Sequence, residues 1–93
     1  MFTWLNKQGV RSESGFVVQF TDRFSAEYRE GGRIITVFVQ DGISGGMPAI
    51  IVGPDAFAHW DDDTAPFSET ERKRLFENFR LACEFQGLKM VVE

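Results

Sequence analysis

Only one stretch of this chain carries helical periodicity, and its own punctuation marks both ends. Leu75, Phe76, Phe79, Ala82 and Cys83 fall on one stripe at 100° per residue. Ahead of them, Ser68-Glu69-Thr70-Glu71 has the form of a capping box, in which serine and glutamate satisfy orphan backbone N–H groups. Behind them, Gly87 is a natural left-handed stop after Gln86. A single helix with one apolar face must bury it against a different kind of layer. The rest of the chain therefore has to supply a sheet.

The first half reads that way. In Gly15–Asp22, Phe16, Val18 and Phe20 point one way while Gln19 and Thr21 point the other, the period of a half-buried strand. A turn at Asp22-Arg23 leads to Phe24, Ala26 and Tyr28, which alternate with Ser25, Glu27 and Arg29 as an antiparallel partner. Gly31-Gly32 is a two-residue hairpin signal, because a type I′ turn needs positive φ at both positions. Arg33–Gln40 is apolar on both faces, Ile35, Val37 and Val39 on one and Ile34 and Phe38 on the other, which predicts a central strand or a covered second face. Asp41–Met47 reads as a glycine-rich loop, Pro48–Val52 as a short strand, and Leu88, Met90 and Val92 as a closing strand. The expected fold is α+β with two layers. About five mostly antiparallel strands carry one long helix from the C-terminal half on one face.

Ninety-three residues make one domain, residues 1–93, whose stability depends on tight packing. Hydrophobic residues at 43% and ten phenylalanines can provide it. The single cysteine, Cys83, allows no internal disulfide, which fits a reducing compartment. Met1–Val10 lacks the pattern of a secretory signal, and no apolar run reaches about 18 residues, so a cytoplasmic protein off the membrane is expected.

The chemical motifs are weak. Gly42-Ile43-Ser44-Gly45-Gly46 matches the spelling of a nucleophile elbow, but a strand and not a helix follows it, and the lone His59 lies fifteen residues on. It reads as a flexible loop, and His59 as a loop histidine. Asp61-Asp62-Asp63, with Asp55 and His59 nearby, could suggest a metal, but Pro66 stands where a calcium loop needs glycine, and one Cys and one His make no zinc site. No metal, cofactor or catalytic residue is expected. Cys83, on the core stripe, reads as a small hydrophobe.

Charge is more informative. Residues 1–40 hold five Lys or Arg against four Asp or Glu, whereas residues 41–93 hold five against ten, giving +1 and −5. A negative field repels nucleic acid and favours basic partners, although it also serves plain solubility. Leu81 lies about 160° from the stripe centre and Phe85 about 120° away. Either another segment wraps over them or they form an exposed apolar spot for a partner or a second copy.

Tyr28-Arg29-Glu30-Gly31-Gly32-Arg33 before an alternating strand, Trp60 in an acidic loop, Ser68-Glu69-Thr70-Glu71-Arg72 leading to Phe79, and the ending Phe85-Gln86-Gly87-Leu88-Lys89-Met90 together resemble a known arrangement. It is that of small α+β immunity proteins of bacterial polymorphic-toxin systems, including contact-dependent growth inhibition. The resemblance implies a non-enzymatic protein that binds the toxic C-terminal domain of a cognate effector and blocks it. Many such toxins are nucleases with basic clefts, which an acidic surface would complement. Asp61, Asp62 and Asp63 are then the expected contacts, with Trp60 either an aromatic anchor or a core plug. The alternative is a homo-oligomeric structural or adaptor protein joined through Leu81 and Phe85.

Overall fold

The computed structural model describes residues 1–93. Its strands are β1 (Phe2–Asn6), β2 (Gly9–Ser12), β3 (Phe16–Asp22), β4 (Ser25–Glu30), β5 (Arg33–Ser44), β6 (Met47–Val52) and β7 (Lys89–Val92), with one helix, α1 (Glu69–Phe85), before β7. They form one sheet in sequence order, curled into a half-barrel. Every neighbouring pair is antiparallel except β6–β7, which is parallel and joined through α1, as a parallel pair requires a long crossover. The α+β class is as expected, but the sheet has seven strands rather than about five.

Both extra strands lie at the N-terminus. Phe2–Asn6 shows no alternation, yet it pairs with β2 as an edge, anchored by the Phe2 ring edge-on to Phe16 at 5.7 Å and tilted on Phe85 at 5.4 Å. Two other readings are corrected. Ser44 ends β5, so Asp41–Ser44 is strand and only Gly45-Gly46, at φ 59° and 81°, turns the hairpin. Phe24 sits in the β3–β4 turn and is 60% exposed, leaving Ala26 and Tyr28 to face the core. β5 is a central strand, the first of the two alternatives its sequence offers, and its second face is open, with Phe38 76% exposed.

The helix is bounded as its sequence predicts. Ser68 Oγ accepts from the Glu71 N–H at 3.2 Å. The reciprocal half of the box is replaced, since the Glu71 carboxylate instead accepts from Arg74 Nε at 2.5 Å. At the other end the Leu88 N–H reaches the Cys83 carbonyl and the Gly87 N–H the Glu84 carbonyl, with Gly87 at φ 80°, which is the Schellman arrangement.

Leu75, Phe79, Ala82 and Cys83 pack into the sheet's inner face against Val10, Val18, Tyr28, Ile35, Val37 and Val52. The irregular segment between β6 and α1 adds its own plug. Phe57 is fully buried, its ring 4.9 Å from Phe76, 5.6 Å from Phe79 and 5.7 Å from Tyr28. One polar network crosses the layers. Tyr28 Oη donates to Glu30 at 2.8 Å and accepts from Asn78 Nδ2 at 2.9 Å, while Arg74 donates to Glu30 at 3.0 and 3.1 Å. Apolar burial drives the docking, and this network fixes the helix against β4.

Candidate functional site

β5 is twelve residues long and changes partners partway. Its first half, Arg33–Phe38, pairs with β4, and β6 joins its other side only from Val39 onward. The Val39 N–H bonds to the Phe24 carbonyl on the β4 side, so the backbone groups of Ile34, Thr36 and Phe38 point to the opposite edge, where no strand lies. The segment from Gly53 to Phe67 runs along this gap, pinned inward by Phe57 and by the Phe67 N–H bond to the Ala58 carbonyl.

Asp61 fills part of the gap as a strand would. Its N–H donates to the Ile34 carbonyl at 2.9 Å, its Oδ1 accepts from the Thr36 N–H at 2.9 Å, and its Oδ2 accepts from Thr36 Oγ1 at 2.5 Å. Asp62 and Asp63 both accept from the Arg33 guanidinium, at 2.9 and 3.3 Å. The same guanidinium lies 5.1 Å from the Trp60 ring centroid. Asp63 is held below the usual carboxylate range, first by the Ala65 N–H and then by Arg33, and Arg33 is pushed up chiefly by its bond to Asp62, with Asp63 adding to it.

Trp60 packs edge-on to Phe67 at 5.4 Å and against the core, so its ring lies between the chain's interior and Arg33. The three aspartates and Trp60 are therefore together, as a pinned acidic turn. Residues 55–63 hold four aspartates, of which Asp62 and Asp63 pair with Arg33, so this corner carries −3 with that arginine included.

Beyond Asp61 the gap opens into a cleft of about 550 Å³ lined by Ile35, Thr36, Phe38, Asp55, His59 and Asp61, among others. Phe38 forms its lip and also borders a second groove with Phe24 and Ile51. Sequence reasoning missed Phe38 and Phe24 as surface features, because strand periodicity assigns faces without saying which face is covered. The available signal was Phe38 flanked by Thr36 and Gln40 on its own face.

Leu81 and Phe85 lie elsewhere, on the C-terminal half of the helix, and are 40% and 39% exposed. β1 shelters Phe85, with Phe2 at 5.4 Å and Trp4 at 5.6 Å. The fold does not bring this pair to the acidic turn.

Ser44 ends β5 at the hairpin tip, eight residues beyond Thr36, or roughly 27 Å at about 3.4 Å per residue. His59 beside Thr36 cannot act on it from there, and its Nδ1 lies 2.6 Å from the Trp60 carbonyl, to which it donates. No three His, Cys, Asp or Glu side chains converge to hold a metal. Cys83 is buried in the core, and desolvation pushes its thiol up to about 12. No helix is long and apolar enough to cross a membrane. Comparison with known proteins finds no family model, curated protein or solved structure that matches the chain.

Proposed function

We propose that this chain is an immunity protein that binds the toxic C-terminal domain of a cognate bacterial effector and neutralises it without chemistry of its own. The observation that carries the reading is the acidic corner of residues 55–63, net −3 with Arg33 included, set beside the exposed Phe38. An apolar point with an acidic surround suits a basic protein, for which opposite potentials speed encounter and fix register. A nuclease domain with a basic cleft is such a partner. Asp55, exposed and outside any ion pair, and Asp62 and Asp63, which share one arginine, are the carboxylates available to it, whereas Asp61 is committed to Thr36.

The test is co-expression. The gene beside this one should encode a large effector whose C-terminal domain arrests bacterial growth alone and is harmless when this protein is present. Growth arrest that persists with this protein abundant and folded refutes the reading.

A second reading rests on Leu81, Phe85 and Trp4, three large apolar side chains left half-exposed at one end of the helix. They would join copies of the chain in a homo-oligomeric adaptor. A monomer by sizing chromatography at high concentration excludes it.

A further inference from the structure

We infer that β1, the open edge of the sheet, pairs antiparallel with β1 of a second copy about Thr3, making a two-fold dimer with one continuous sheet. This rests on the homo-oligomeric reading and deepens it by naming the interface. The acidic corner, beside β5, lies four strands away and stays free in such a dimer.

The ladder with β2 fixes what β1 leaves unused. The Glu13 N–H bonds to the Met1 carbonyl, and the register sets Phe2 opposite Ser12, Thr3 opposite Arg11 and Trp4 opposite Val10. Bonded and unbonded pairs alternate along an antiparallel ladder. The backbone of Thr3 is therefore turned to β2, while the N–H and C=O groups of Phe2 and Trp4 point to the open edge. These two residues are centred on Thr3. A second β1 running the other way sets Phe2 opposite Trp4 of that copy and Trp4 opposite its Phe2, with four main-chain bonds between them.

Nothing blunts this edge. Natural sheets protect exposed edges with charge, proline or cover. Phe2-Thr3-Trp4-Leu5-Asn6 carries neither charge nor proline, and Thr3–Asn6 are all exposed. An uncharged strand gives a charged foreign segment nothing to recognise, whereas its own copy matches it group for group. The sheet's other edge, β7, is guarded by Lys89 at its start and Glu93 just beyond its end. Pairing β1 with β7 of another copy would also run head to tail without closing, while β1 on β1 closes at two copies.

The side chains agree. Phe2 and Trp4 lie on the helix side of the sheet, both against Phe85, and Leu81 stands one turn earlier on the same helix face. In the paired strands Trp4 of each copy comes beside Phe2 of the other, an aromatic cross-strand pair, with Leu81 and Phe85 flanking the seam. These side chains and the strand backbone offer at most on the order of 500 Å² per copy, ~1,000 Å² in total, the lower limit of a specific interface. The dimer is therefore weak and depends on concentration.

Thr3 supplies the test. It projects from the face opposite the helix, and in this register alone it meets Thr3 of the second copy, with Cα atoms about 4.5 Å apart and within disulfide reach. Sedimentation velocity over a dilution series should show a reversible monomer–dimer equilibrium for the intact chain, weakened about tenfold by Trp4→Ala. Thr3→Lys and Thr3→Glu should each be monomeric, and an equal mixture of the two should dimerise again. Thr3→Cys should form a covalent dimer on mild oxidation about tenfold faster than Leu5→Cys, whose two copies lie farther from the axis; Cys83 is buried and does not compete. Melting curves establish that each variant folds, since Thr3 is exposed and outside the core. A monomer at every concentration overturns this interface and the homo-oligomeric reading together. A dimer indifferent to charge at position 3, or open-ended growth, overturns the β1 pairing alone and leaves association to another surface. Neither result bears on the co-expression test of immunity.

Discussion

Replacing Phe57 with alanine should destabilise the protein more than any change at the proposed binding surface. Phe57 is fully buried and touches three aromatic rings with centroids 4.9 to 5.7 Å away. Truncating such a side chain removes its transfer free energy and leaves a cavity, together about 3–5 kcal/mol. A domain this size has a total stability of roughly 5–14 kcal/mol, so the loss is a large fraction of it. With about 4–8 °C per kcal/mol for a small domain, the midpoint of thermal unfolding should fall by at least about 12 °C. Circular dichroism melts measure this directly. Phe57→Leu, which keeps most of the volume, should cost much less. A fall of only a few degrees for Phe57→Ala would show that residues 53–67 do not depend on this plug, and that Asp55 and Asp61 are placed by something else.

Other expectations follow from named contacts. Tyr28→Phe leaves the half-buried Asn78 amide without its acceptor and should cost about 1–3 kcal/mol in a denaturant melt; no loss would remove the Tyr28 network from the account. Asp63, Glu71 and Asp22 are all held below their ordinary values, by the Ala65 N–H, by Arg74 and by the Phe24 N–H respectively. Folded values below the unfolded ones give stability that is present above the ordinary 3.8 to 4.5 and lost as pH falls through the folded values. The melting temperature attributable to these groups should therefore be flat above about pH 5 and drop below about pH 4, and Arg33→Gln should weaken the acid limb. Cys83 should react with a thiol reagent about a hundredfold more slowly in the native chain than in urea, because burial suppresses its thiolate; equal rates would place it at the surface.

The parts of the fold legible in the sequence are those where side-chain pattern and backbone signal coincide. Ser68 and Gly87 bound the helix, Gly31-Gly32 turns the β4–β5 hairpin, and the Phe16–Val18 and Ile35–Val39 alternations face the core. β1 and β2 were not legible, because an edge strand is held by backbone pairing that any side chain permits, and Phe2–Asn6 has no pattern to read. The extension of β5 through Asp41-Gly42-Ile43-Ser44 was hidden for the same reason, its glycine and polar residues resembling a loop until β6 pairs with them.

The candidate site was legible in composition and not in geometry. The acidic triplet and Trp60 are visible in the chain, but the capping of Thr36 by Asp61 spans 25 residues, and that of Arg33 by Asp62 spans 29. Contacts at such separation follow from the path of residues 53–67, which Phe57 sets from within the core. The open face around Phe38 depends equally on what does not pack there, which no local pattern records.

The central claim is that an acidic corner beside Phe38 receives a basic toxin domain. It is tested most directly by the affinity between this protein and the C-terminal domain of the neighbouring effector at low and high salt, for the wild type and for Asp62→Asn, Asp63→Asn. If it holds, the wild type binds tightly and loses affinity as salt screens the pair, and the double variant binds more weakly and with less salt sensitivity. Equal affinity for both proteins at both salt concentrations would contradict it.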